Sequence, residues 1–140
     1  MERADIAIIG TGPGGVSAAL TAKVRNKNIL LIGKKQMSDK VSKAHQIMNY
    51  PGLPAVTGAQ MAETFEKQLA MMEIDITDSR IGTVYAMGDY FAIQAGEEML
   101  EAESVHLACG VVSGKTLPGA DEFLGRGVSY CASCDACFYK

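Results

Sequence analysis

No stretch of the 140-residue chain is basic enough to neutralise a phosphate backbone, since thirteen Lys and Arg stand against sixteen Asp and Glu for a formal net charge of −3. Nucleic acid is excluded as a partner class. An unbroken apolar run of membrane-spanning length is missing too. Residues 6–22 carry no charge, but Gly10, Gly12, Pro13, Gly14 and Gly15 interrupt them, and a spanning helix needs roughly 20 predominantly apolar residues. The start, Met1-Glu2-Arg3-Ala4-Asp5, mixes charges and leads straight into an apolar run, so it lacks the basic-then-apolar layout of a secretory leader. A cytoplasmic location is the expectation. There is no internal repeat and no low-complexity tract, and 48% hydrophobic against 21% charged residues is a globular composition. At this length one domain plus a tail is the ceiling.

What is present reads as an α/β chain. Residues 5–10 form a short β-branched apolar run that ends in glycine, followed by a helical pattern with Val16, Ala19, Leu20 and Val24 on one face. Residues 28–33 are a second fully apolar run, the pattern of a parallel strand buried on both faces, which completes a βαβ unit at Gly33. Residues 34–56 turn polar and irregular, with Asn49-Tyr50-Pro51-Gly52 as the clearest turn. A loop of that length is usually functional. Thr57 and Gln60 have capping-box spacing, and Met61, Phe65, Leu69 and Met72 follow at helical intervals. Met71 is read with Met61 and Met72 as core filler. Ile74 and Ile76 suggest a third strand. Residues 80–86, 90–94 and 98–101 predict an antiparallel three-stranded meander, and residues 105–110 a final strand that returns to the main sheet. His106 is expected to be a packed strand residue and His45 a solvated loop residue.

Gly10-Thr11-Gly12-Pro13-Gly14-Gly15 matches G-x-G-x-x-G between a buried strand and a helix start, the context in which that spacing binds a dinucleotide. The first glycine permits a tight turn, the second lets backbone approach a pyrophosphate, and the third lets helix pack on strand. The acid that usually clasps the ribose at the end of the second strand is missing, and the chain reads Gly33-Lys34-Lys35 there. A second reading therefore assigns Lys34 and Lys35 to a 2′-phosphate, in an NADP-binding dehydrogenase domain.

Cys131-Ala132-Ser133-Cys134 is a CxxC, whose two thiols close a small reversible disulfide. Asp135 follows and is placed to exchange the proton that thiol chemistry requires. With Cys137 the run becomes CxxCxxC, so iron–sulfur or zinc ligation stays open, with Cys109 as the fourth ligand.

Together with the glycine turn, Asn49-Tyr50-Pro51-Gly52, Ala108-Cys109-Gly110 and the string from Gly125 to Asp135, in order, give the chain a family likeness. It resembles the low-molecular-weight thioredoxin reductases nearly end to end. The resemblance implies a Rossmann-like FAD-binding domain over residues 1–112, with a parallel sheet, helices and the antiparallel meander. Residues 113–140 become a linker and the start of a second domain that carries the CxxC. Gly10, Gly12, Pro13, Gly14, Gly15, Gly33, Lys34, Asn49, Cys109 and Gly110 then hold FAD, with Asn49 near the isoalloxazine ring. Tyr50 either covers that ring system or caps its own loop. Cys131 and Cys134 form the redox disulfide, Asp135 is its acid, and Cys134 faces the flavin. The implied partner is a thioredoxin-like dithiol protein and the implied donor NADPH. Homodimerisation is left open.

The chain departs from the family at three places. Ser38-Asp39-Lys40-Val41 stands where the family has Gly-Gly-Gln-Leu against the flavin, Cys109 replaces a threonine, and Ala136-Cys137 replaces glycine and phenylalanine. The altered flavin loop leaves open another donor, such as ferredoxin. Only one glycine fingerprint occurs, so no NADPH site can be read, and the expectation is a fragment that does not turn over by itself.

Overall fold

The computed structural model describes residues 3–36, 39–42, 44–111, 117–123 and 126–128. The chain divides into two compact units, Met1–Gly110 and Val111–Lys140.

The first unit is built on a six-stranded mixed sheet in the order β3-β2-β1-β6-β5-β4. Its elements are β1 (Ala4–Ile9), α1 (Pro13–Val24), β2 (Ile29–Gly33), α2 (Asp39–Ser42), α3 (Gly58–Met71), β3 (Ile76–Asp78), β4 (Ile81–Ala86), β5 (Phe91–Ala95) and β6 (Glu98–Leu107). Strands β3, β2, β1 and β6 run parallel, and β5 and β4 continue the sheet antiparallel. Side chains alternate across a pleated strand, and β2 uses both of its faces. Leu31 packs with Val16 and Ala19 of α1 and with Met61, Phe65 and Leu69 of α3. Ile32 packs on the other side with Ile93 of β5 and Leu100 of β6. Burying each large side chain of this kind is worth about 1.5–3 kcal/mol, which is why residues 29–32 are apolar without interruption.

The meander and the expected final strand are one piece. β6 pairs antiparallel with β5 through residues 98–102 and parallel with β1 through residues 102–107, so one strand of about 33 Å serves two ladders in turn. Cys109 and Gly110 fall beyond its end. His106, read as a packed residue, is exposed, because the second half of β6 is flanked by β1 alone among the described strands.

Helix ends explain two further differences. α1 starts with Pro13 at its first position and stops in a Schellman motif: Asn26 adopts φ 56°, its N–H donates to Lys23 O at 2.9 Å, and the Lys27 N–H donates to Ala22 O at 3.1 Å. Its buried face is Gly15, Val16, Ala19 and Ala22, which leaves Val24 70% exposed. α3 starts with the reciprocal capping box of Thr57 and Gln60. It ends as α1 does, with Glu73 at φ 51° and the Ile74 N–H donating to Leu69 O at 3.0 Å. Ile74 thus closes the helix and packs in the same cluster as Leu69, and the third strand begins only at Ile76. Met71, expected in the core, is on the outer face and 83% exposed.

Glu73 holds a left-handed conformation that glycine adopts without cost. Glu73→Gly is therefore expected to stabilise the first unit by about 0.5–1 kcal/mol, read as a raised midpoint in urea unfolding at unchanged m.

In the second unit the described part centres on the short helix α4 (Ala120–Phe123). Its turn is closed by Ala120 N–H donating to Leu117 O at 3.0 Å and by Arg126 N–H donating to Phe123 O at 2.8 Å.

Candidate functional site

The chain runs from β1 through α1 to β2 and on to β3 on one side, then returns to β6 on the other side of β1. The carboxyl edge between β1 and β6 is therefore a topological switch point, where open α/β sheets bind ligands. The glycine turn lies there. Gly10 has φ 117°, and a Cβ on it would run into the carbonyl oxygen of Ala108. The Gly10 N–H donates to Ile32 O and the Ala108 N–H to Ile9 O, each at 2.8 Å, so the turn is stitched to both neighbours of β1. A Cβ on Gly15 would overlap the carbonyl oxygen of Gly10. The fold itself demands glycine at these two positions.

Gly12 is different. Its dihedrals, φ −77° and ψ −178°, are ordinary extended values, and a Cβ there would meet nothing within 4 Å. It is the N-cap of α1, where Ser, Thr, Asp or Asn would satisfy an orphan N–H, yet the helix start has neither a side-chain cap nor an acid in its first turn. A Cβ on Gly14 would come no closer than 4.0 Å to any neighbour. The positive end of α1 thus faces open space through two residues whose lack of side chain the protein does not need. An anion approaching the backbone does need it.

Beside the turn runs a cleft of about 700 Å³, bounded by the ends of β1 and β2, by Asp78 at the end of β3, by Ser79 and Arg80 between β3 and β4, and by Cys109. The Thr11 hydroxyl, buried behind the turn, donates to the carbonyl of Lys34 at 2.8 Å. The exposed thiol of Cys109 reaches the Ile9 carbonyl at 3.7 Å.

Of the residues expected to hold a cofactor, Gly10, Gly12, Pro13, Gly14 and Gly15 form this turn, and Gly33, Lys34 and Cys109 line the cleft beside it. Gly110 follows Cys109 with φ 67°. Asn49 is exposed in the loop between β2 and α3. Its neighbour Tyr50 stands edge-on to Phe65 with ring centroids 5.5 Å apart, anchoring that loop to α3. Cys131, Cys134, Asp135 and Cys137 lie outside the described residues. Among the described residues no three His, Cys, Asp or Glu side chains are grouped to hold a metal ion, and no helix is long and apolar enough to cross a membrane. Ala108, read from the sequence only as part of the Ala108-Cys109-Gly110 motif, is what Gly10 closes against, and Asp78 and Arg80 in the cleft were not singled out from the sequence. The ordered pairing of β3 with β2 is what brings the last two in, and no local motif encodes it.

The family model for pyridine nucleotide-disulphide oxidoreductases matches residues 4–140. The chain belongs to that family. Within the pyridine nucleotide-disulphide oxidoreductases, the thioredoxin reductase of Treponema pallidum is 36% identical over 138 residues, covering 97% of this chain and 45% of that protein. Among solved structures, a ferredoxin-flavin thioredoxin reductase from Clostridium acetobutylicum superposes on all of this chain and 49% of its own, with 48% identity and a TM-score of 0.79. The thioredoxin reductase of Streptococcus pyogenes does so over 99% of this chain and 45% of its own, at 29% identity and a TM-score of 0.85. The chain therefore spans about half the length of these relatives, and its first unit has the Rossmann-like fold of thioredoxin reductase-like flavoproteins.

Proposed function

We propose that this chain carries the FAD-binding half of a flavin-dependent disulfide reductase that serves a thioredoxin-like dithiol protein. The observation that carries the reading is Gly12, a helix N-cap with ordinary dihedrals and free space around it, which only a close-approaching ligand requires to be glycine. The residues present fit the pyrophosphate of FAD: Gly12 and Gly14 leave the approach open, and the uncapped start of α1 supplies the field. Gly33, Lys34 and Cys109 border the cleft for the rest of the cofactor, Gly110 follows Cys109 beyond the strand end and serves it too, and Asn49 serves its flavin end. When bound, FAD supplies two-electron redox chemistry; the protein supplies position and electrostatics.

The remaining roles belong to the chain's second part. Residues 1–112 are the cofactor domain, and residues 113–140 lead into the next domain and bring the CxxC. The Cys131–Cys134 disulfide takes two electrons and two protons to become a dithiol, Cys134 facing the flavin and Asp135 handling the proton. The dithiol then reduces a disulfide in the partner and is itself reoxidised. The donor is NADPH or ferredoxin, the latter supported by the likeness to the ferredoxin-flavin enzyme.

The test is a visible absorption spectrum after incubation with FAD and removal of unbound cofactor by gel filtration. Flavin bands that travel with the protein at about one per chain are expected. A colourless protein, or broad iron–sulfur absorption without flavin bands, would overturn the proposal.

A further inference from the structure

The sheet edge lacks an acid where a dinucleotide's ribose is usually held, at the end of β2, where the chain reads Gly33-Lys34-Lys35. The structure gives a reason for the first of these. A Cβ on Gly33 would come within 2.9 Å of Thr11 Cγ2 and 3.1 Å of Thr11 Oγ1. Thr11 cannot yield, being 5% exposed and tied by its hydroxyl to Lys34 O at 2.8 Å. No acidic side chain fits at that position while the turn keeps its shape.

One strand further along the same edge there is an acid. Parallel pairing sets Gly33 opposite Asp78, the last residue of β3. Residues in register on adjacent strands project to the same face, about 4.8 Å apart. Asp78 therefore stands one strand spacing from where a side chain on residue 33 would have begun. It is exposed and lines the cleft that starts at Gly10. The cleft runs from the glycine turn across the end of β2 to Asp78, the course that leads from a pyrophosphate to its ribose.

We propose that Asp78 accepts a hydrogen bond from the 2′-hydroxyl of the adenosine ribose, replacing the acid that Thr11 excludes from β2. The assignment rests on the FAD reading above and adds the residue that selects an unphosphorylated ribose. A carboxylate there repels a 2′-phosphate, which opposes the use of Lys34 and Lys35 as a 2′-phosphate clasp.

The experiment titrates the 140-residue chain and its Asp78→Ala variant with FAD and with FAD bearing 2′-deoxyadenosine, read by quenching of flavin fluorescence. Circular dichroism melts establish that both proteins fold. Asp78→Ala should weaken FAD about tenfold, the scale of losing a hydrogen bond to a charged group. It should leave the deoxy analogue unchanged, and the deoxy analogue should bind the parent chain as weakly as FAD binds the variant. Equal affinities of parent and variant for FAD, or equal losses with both cofactors, would overturn the role of Asp78 and leave the FAD reading standing. A parent chain that quenches neither cofactor overturns both.

Discussion

Gly15→Ala is expected to destabilise the first unit by about 3 kcal/mol or more, the range reached only when a substitution forces backbone apart. The new Cβ would lie far inside contact distance of the Gly10 carbonyl oxygen and within 3.4 Å of the Ala108 side chain. Neither neighbour can move alone. Gly10 is held by its N–H bond to Ile32 O, and Ala108 by its N–H bond to Ile9 O, so α1 must lift from the sheet. Lifting α1 opens the cluster in which Val16 and Ala19 meet Leu31 and Phe65. For a chain of this size each kcal/mol moves the melting temperature by about 3–4 °C, and the expected fall is about 10 °C. A melt within 2 °C of the parent would mean that the helix and strand are not packed as closely as the structure has them.

The first βαβ unit was legible because its signals are local and agree. Two runs of apolar residues, a glycine turn with proline at the first helical position, and a second strand buried on both faces all specify one arrangement. The capping box at Thr57 and Gln60 was legible for the same reason. What escaped the sequence depends on partners elsewhere. β6 reads as two pieces because Glu101 and Glu103 interrupt its apolar pattern, and only pairing with β5 and then with β1 joins them. Ile74 reads as a strand residue because Glu73, not glycine, takes the left-handed turn that ends α3. Met71 differs from Met61 only in its phase around the helix. Of the site, the glycines could be read because each role has a spacing. Asp78 could not, since its place opposite Gly33 is a matter of register between strands more than forty residues apart. The CxxC is the reverse case, a motif specific in sequence whose geometry lies outside the described residues.

Gly12→Ala separates the needs of the fold from those of the ligand. With φ −77° and nothing within 4 Å of the added methyl group, the variant should melt within about 2 °C of the parent, as surface substitutions usually do. Alanine is also a poorer N-cap than glycine, so any small loss of stability has an assigned cause. FAD should bind about 100-fold more weakly. The methyl group takes the space through which the pyrophosphate reaches the start of α1, and hydrogen bonds to a charged group are worth about 1.5–3 kcal/mol each, so lengthening one or two of them accounts for that factor. Gly15→Ala would lose FAD as well, but only by unfolding the turn, and its melting curve reveals that. The informative result is Gly12→Ala with an unchanged melt and lost flavin. An unchanged melt with unchanged FAD affinity would mean that the pyrophosphate does not approach the backbone at Gly12, and the cofactor reading would lose the observation on which it stands.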